Sequence, residues 1–187
     1  GLSEVRGNVV VGADGTEREV DTIILGTGFY VTDSPMAQRV RGADGRSLAE
    51  AWEGSMQAHR GTTVAGFPNY FHLVGPNTGL GHTSVVLMAE AQAGYIRQAL
   101  EHMERAGVGA IEPRQESQDA WNEQIERKSQ GTVWLNGGCH SWYIDRNGKN
   151  STLWPGFTFS FLLRTRRVKA TDFRFEPLRA PLDVPSA

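Results

Sequence analysis

Apolar and polar positions sort the chain into a few segments of predicted regular structure. Residues 8 to 12 (Asn-Val-Val-Val-Gly) and 18 to 25 (Arg-Glu-Val-Asp-Thr-Ile-Ile-Leu) are rich in β-branched side chains and flank Ala13-Asp14-Gly15-Thr16. Asp-Gly between two such runs predicts a hairpin. The second run ends in Ile23-Ile24-Leu25 and passes into Gly26-Thr27-Gly28-Phe29. That is the pattern of a strand buried on both faces that leaves through a close, glycine-permitted turn. From Tyr30 to Thr63 the composition turns polar, with Gly42, Gly45, Gly54 and Gly61 scattered through it, and only Leu48 to Trp52 reads as a short helix. Tyr70 to Val74 predicts a short strand, Gly75 to Gly81 a loop, and the following residues a helix from about His82 to Arg105. Within that helix Val85, Met88, Gln92, Ile96, Ala99 and Met103 recur at spacings of three and four. Its first turns, Val85 to Ala89, are apolar all round, which predicts that protein or ligand encloses that end.

Gly107 and Gly109 stop the helix, and Glu112-Pro113 prevents its resumption. A second helix is expected from Ser117 to Lys128, burying Trp121 and Ile125, and a third strand from Thr132 to Leu135. The tail is first aromatic (Trp154, Phe157, Phe159, Phe161), then basic (Arg164, Arg166, Arg167, Lys169), then Pro-rich after Pro177. The expected class is α/β. Its organisation reads as hairpin and connection (1–30), linker (31–66), strand, loop and helix (67–110) and a mixed C-terminal region (111–187).

Composition adds exclusions. A chain of 187 residues, 39% apolar and 21% charged, is long enough for one domain with a real core. A formal net charge of -2 argues against a nucleic-acid binder held by phosphate contacts. The longest apolar run, Val85 to Ala89, is far short of a membrane span, so no membrane partner is expected. Cys139 is the only cysteine, which excludes an internal disulfide and a Cys-based zinc module and suits a reducing cytoplasm. The chain begins Gly-Leu-Ser-Glu without an initiator Met or a signal sequence, so the natural start is expected upstream.

Candidate chemistry centres on the loop and helix start from Leu73 to Val85. Three glycines before a helix expose backbone N–H groups at the positive end of the macrodipole, which favours an anion or an electron-rich carbonyl. Alternatively, Ser84 or Thr83 simply caps the helix. The loop is neither GxGxxG nor GxxxxGK[ST]. Gly26 to Phe29 marks either a ligand approach or a tight strand exit. A Cys139-His140 nucleophile with Asp145 as orienter is sterically awkward, because adjacent residues on extended chain face opposite ways. His59, His72, His82, His102 and His140 show no HExxH or HxH spacing, so no metal site is expected. His82, at the helix start, is either functional or a neutral packed ring. The Arg164 to Lys169 cluster is either a phosphate contact or a solvated basic edge.

Four segments in order carry a resemblance. They are Asp21-Thr22-Ile23-Ile24-Leu25-Gly26-Thr27-Gly28-Phe29, Gly66-Phe67-Pro68-Asn69-Tyr70-Phe71, Gly75-Pro76-Asn77-Thr78-Gly79-Leu80-Gly81-His82-Thr83-Ser84 and Cys139-His140-Ser141-Trp142-Tyr143. Together they resemble the C-terminal part of Baeyer-Villiger and related flavin-containing monooxygenases, over roughly residues 5 to 168. The first looks like the family's DxxxxATGF segment with Gly26 in place of Ala.

The resemblance implies the C-terminal fragment of a two-dinucleotide-binding-domain flavoprotein fold. It implies FAD and NADPH as cofactors of the full-length enzyme. Gly26, Thr27, Gly28, Phe29 and the whole run Gly75, Pro76, Asn77, Thr78, Gly79, Leu80, Gly81, His82, Thr83 and Ser84 would then be cofactor-binding. The helix start would face the isoalloxazine end of the flavin, and Trp142 would lie over the nicotinamide cofactor. No catalytic residue is assigned. Both GxGxxG motifs, the FxGxxxHxxxW fingerprint and the family's active-site Arg are absent, so the chain looks like the last third of an enzyme. Alone it is expected to bind FAD weakly and to be inactive. The parent is expected to use NADPH and O2 to oxygenate a small-molecule ketone or soft heteroatom. The alternatives are an NADPH/FAD-dependent reductase without oxygenation and a non-catalytic small-molecule-binding α/β domain. An exposed domain-completion surface around Val85 to Ala89 leads to the further expectation of a homodimer.

Overall fold

In a computed structural model the described residues are 1–26, 31–138 and 141–177. The Asp-Gly signal makes its hairpin: the Asp14 carboxylate accepts the Thr16 N–H at 3.0 Å, and Gly15 turns the chain with φ of 81°. Strands β1 (Leu2–Arg6), β2 (Val9–Gly12) and β3 (Glu17–Glu19) form an antiparallel sheet in chain order, with Val9 opposite Glu19 and Val11 opposite Glu17. The flanking strand β1 was not expected, because its polar residues carry no alternation. The predicted continuation through Ile23-Ile24-Leu25 is not a strand, and Ile24 is 90% exposed. A run apolar on both faces needs neighbours on both, and the described residues supply none.

Three buried clusters hold the chain. The first is Ala37, Leu48, Trp52, Ala58, Val64 and Phe67, within or beside the stretch expected as linker. Helix α1 (Leu48–Trp52) starts in a capping box. The Ser47 hydroxyl accepts the Glu50 N–H at 3.1 Å and the Glu50 carboxylate accepts the Ser47 N–H at 2.6 Å. Widely spaced apolar residues thus make a core without a periodic signature.

Helix α2 (Val85–Ala106) carries the other two clusters. Ser84 caps it by accepting the Val86 N–H at 3.2 Å, and Gly107 ends it in the left-handed conformation. Met88 packs with Trp121 and Ile125 of α3 (Gln115–Ser129), with Trp154, and with Phe161 of α5 (Thr158–Thr165), after the one-turn helix α4 (Val133–Asn136). Tyr95 and Ala99 pack with Ile111 of β4 (Val108–Pro113) and Phe173 of β5 (Phe173–Pro177), an antiparallel pair. Helix α3 buries Trp121 and Ile125 as expected.

Three expectations fail here. Thr132 to Leu135 is no strand; it leads into and forms part of α4. Tyr70 to Val74 is not a strand either. Its amides serve loops, His72 N–H to Thr62 O at 2.7 Å and Val74 N–H to the Gln92 side chain at 2.9 Å, and Val74 itself has φ of 53°. Val85, Val86 and Leu87 are 39%, 59% and 42% exposed, so the first turn of α2 is enclosed only at Met88. No helix among the described residues is long and apolar enough to cross a membrane.

Candidate functional site at the start of helix α2

The glycine loop has two halves with different roles. Gly75, Pro76, Asn77 and Thr78 are buried. Asn77, at φ of 57°, donates from its side chain to the carbonyls of Asn150 (2.7 Å) and Leu153 (3.3 Å), and its N–H goes to Ser151 O at 3.1 Å. The Thr78 hydroxyl donates to Gly75 O at 2.7 Å. Gly79 and Leu153 form a parallel bridge, in which Gly79 N–H donates to Thr152 O at 2.9 Å and Trp154 N–H to Gly79 O at 2.9 Å. Close approach explains Gly75, where an added Cβ would lie 2.4 Å from Gly61 O. Behind the loop, Gln92 donates to Gly61 O at 2.8 Å and to His72 O at 3.2 Å, which ties the incoming chain to α2.

The second half opens outward. Gly81, His82, Thr83 and Ser84 are all exposed. His82 meets Gly156 O through Nε2 at 3.3 Å, so that nitrogen carries the proton. Thr83 pairs with the Thr158 hydroxyl. These tethers hold the chain out of the helix, which starts at Val85 rather than near His82. Ser84 satisfies one of the amide groups of the first turn; the cap and the exposed helix end coexist.

An aromatic series adjoins the opening. A Cβ on Gly81 would lie 3.2 Å from the Trp134 ring, so the indole packs directly on that backbone. Trp134 meets Tyr143 edge-on at 5.4 Å, and Tyr143 stacks on Trp142 at 4.4 Å and 28°. Trp142, singled out in the sequence, thus joins the loop through Trp134, which the sequence did not single out; Trp142 is 49% exposed. Asp145 holds the turn after Tyr143 by accepting the N–H groups of Asn147 (2.9 Å) and Lys149 (3.0 Å). That leaves one oxygen of Asp145 buried without a partner among the described residues.

Other sequence candidates separate from this constellation. Gly26 lies on an exposed stretch where an added Cβ would meet nothing within 4 Å. Thr27, Gly28 and Phe29, and the Cys139-His140 pair, lie outside the described residues. No group of three His, Cys, Asp or Glu among the described residues could hold a metal ion. Burial pushes the His72 imidazole below its ordinary range, and the Tyr70 hydroxyl lies 3.1 Å from its Nδ1.

No family model matches the chain. It is 51% identical over 175 residues to a Baeyer-Villiger monooxygenase of Streptomyces coelicolor, covering 93% of this chain and 34% of that protein. Over almost its whole length the chain matches the C-terminal third of a Baeyer-Villiger monooxygenase. It is also 35% identical over 167 residues to the FAD-binding monooxygenase ktnD of Aspergillus niger, covering 87% of this chain and 28% of that protein. The chain therefore spans about a third of the length of the curated relatives it matches, and it corresponds to the C-terminal part of such an enzyme.

Solved cyclohexanone monooxygenases share its fold. The closed form is 28% identical with a TM-score of 0.76, over 95% of this chain and 34% of that one. The Rhodococcus sp. Phi1 protein, bound to NADP+, is 26% identical with a TM-score of 0.74, over the same shares. The α/β flavoprotein class expected from the sequence is thereby shown, although both sheets among the described residues are antiparallel. Gly81 to Ser84 are exposed at the start of α2 and the Trp134 ring packs on Gly81, so backbone donors and an aromatic face stand side by side where one edge of a flavin would be held.

Proposed function

We propose that the chain closes one side of the flavin site in an FAD- and NADPH-dependent enzyme that oxygenates a small-molecule ketone or soft heteroatom. The observation that carries this reading is the exposed run Gly81 to Ser84 at the N-terminus of a 22-residue helix, with aromatic rings beside it. FAD, when bound, would supply electron transfer from the nicotinamide and the activation of oxygen.

This chain's residues would do the holding. Backbone N–H groups and the positive end of α2 favour negative charge at the N1 and C2 carbonyl edge of a reduced flavin. Gly75 to Thr78, clamped by Asn150 to Leu153, fix where that edge can sit. Trp142 offers a flat indole and one N–H donor to the nicotinamide cofactor. Val86 and Leu87 place apolar surface beside the site, where water must be kept out. Gly26 to Phe29 would approach the same cofactor from the connection between domains. The single thiol and the use of NADPH suit the cytoplasm.

The chain alone is expected to hold FAD weakly and to turn nothing over. A chimera in which it replaces the corresponding third of the Streptomyces relative is expected to retain yellow flavin and to consume oxygen with matching product. Stoichiometric flavin on the isolated chain would contradict the first expectation. NADPH oxidation in the chimera without oxygenated product would favour the reductase reading. The homodimer expectation rests on the Val85 to Ala89 surface, of which Val85, Val86 and Leu87 are exposed, and a strictly monomeric species in light scattering at high concentration refutes it.

A further inference from the structure

A cavity of about 590 Å³ lies on another part of the molecule, between the first half of α3 and the chain that leaves α5. Its cationic lining is Arg60, Arg164, Arg166, Arg167 and Lys169, against two carboxylates, Glu116 and Asp172. The size is that of a small-molecule site.

Arg60 is the built part of this cavity. It is 8% exposed, with φ of 54°, and each side of its guanidinium is positioned. Nε donates to His59 Nε2 at 3.2 Å, Nη2 to the Asp172 carboxylate at 3.2 Å, and Nη1 to the Arg164 carbonyl. Because His59 accepts at Nε2, its proton sits on Nδ1 and goes to Ser117 O at 3.2 Å. His59 is therefore neutral and contributes no charge. Asp172 is the only carboxylate ion-paired with Arg60 among the described residues.

The other cations are less compensated. The Arg60 and Arg164 guanidinium carbons lie 5.5 and 5.8 Å from the ring centre of Trp121, so two like charges share one indole. Arg164 donates to the Gln124 amide at 2.9 Å, a neutral partner. Among the described residues Arg164, Arg166, Arg167 and Lys169 have no carboxylate within 4.0 Å. Clustered like charges around a concave, partly low-dielectric wall repel one another and focus a positive potential into it. A multivalent anion relieves that repulsion, and guanidinium forks match phosphate oxygens in geometry.

We infer that this cavity binds a small phosphate-bearing molecule, with Arg60 as the fixed base and Arg164, Arg166 and Arg167 as the closing cations. The chemistry is shared by a free phosphorylated metabolite and by the diphosphate of a nicotinamide cofactor, so the test carries both arms.

Inorganic pyrophosphate, ADP and NADPH are titrated onto the chain at constant ionic strength, read by calorimetry. Saturable binding of pyrophosphate is expected, weakened about tenfold or more when Arg166→Gln and Arg167→Gln are combined. Both side chains are exposed, so the variant keeps the fold. Arg97→Gln, on the exposed face of α2 and paired there with Glu101, is expected to leave binding unchanged. NADPH binding tighter than ADP would assign the site to the cofactor, and equal or weaker NADPH binding to a free metabolite. Absence of saturation, or binding that survives the double substitution or falls equally in Arg97→Gln, overturns the inference. None of these readouts depends on flavin, so their failure leaves the monooxygenase reading untouched.

Discussion

Replacing Gln92 by Leu should loosen the candidate flavin loop at its root. Gln92 is fully buried in the middle of α2, and its amide is used at both ends. The NH2 group reaches Gly61 O (2.8 Å), the Thr62 hydroxyl (3.1 Å) and His72 O (3.2 Å), while the carbonyl accepts the Val74 N–H at 2.9 Å. Leu has a similar volume and no cavity opens, so the cost is that of the lost hydrogen bonds. A net hydrogen bond is worth about 1 kcal/mol, and a buried group left without a partner costs about 1 to 3 kcal/mol. Thr62 is fully buried, and Gly61 O lies against the backbone at Gly75, so water cannot readily replace the amide there. Val74 is 48% exposed, and its N–H can turn to solvent. The expected loss is about 3 to 5 kcal/mol, measured by urea unfolding of the isolated chain. In the chimera the same substitution should weaken flavin retention, because Gly75 packs on the Gly61 carbonyl that Gln92 holds. A stability change below about 1 kcal/mol in Gln92→Leu would refute the reasoning, since α2 would then not depend on this amide to fix the loop.

Three further outcomes follow from the same geometry. Burial lowers His59 from 6.5 to about 4, with the Arg60 charge acting the same way, so the native state favours the neutral ring. The stability tied to it is complete above pH 6.5 and is lost as pH falls from 6.5 towards 4. At about 1.4 kcal/mol for each tenfold change in proton affinity, the loss approaches about 3 kcal/mol. Urea midpoints at pH 7.5 and 4.5 should differ by more in the parent chain than in His59→Phe, and equal differences would count against a buried neutral His59. Ser84→Ala should cost about 1 kcal/mol of stability, whereas Ser84→Asp should keep the cap yet lower the chimera's flavin affinity, because its charge opposes a reduced flavin; unchanged affinity would place the flavin elsewhere. Asn77→Ala loses two side-chain hydrogen bonds and puts Ala in a left-handed conformation, for about 2 to 4 kcal/mol in urea unfolding.

What the sequence made legible was local. Asp14-Gly15, the spacing in α2, its stop at Gly107, and Trp121 and Ile125 in α3 each act within a few residues, and each is found as read. What it hid was set by distant partners. Residues 108 to 113 become a strand because β5 lies opposite, and Asn69 extends that edge by accepting the Ile111 N–H and donating to Gly109 O. The run Ile23 to Leu25 is apolar enough for a buried strand but has no neighbours here to bury it. At the site, the glycine loop and Trp142 stood out as motif residues. Trp134 and Asn150 did not, because their roles are contacts with residues far along the chain. Arg60 carried no local signal either: its partners, Arg164 and Asp172, lie about a hundred positions later.

The clamp on Asn77 has a consequence for biosynthesis. Its two carbonyl acceptors lie 73 and 76 positions later in the chain. At roughly 5 to 20 residues per second, a ribosome needs about 4 to 15 seconds to make that stretch. Throughout that interval the turn has only its nearby bonds, from the Thr78 hydroxyl to Gly75 O and from Gln92 to the incoming chain, and the Asn77 side chain has no acceptors. The final setting of this loop is therefore a late event in translation, timed by the arrival of Asn150 to Leu153.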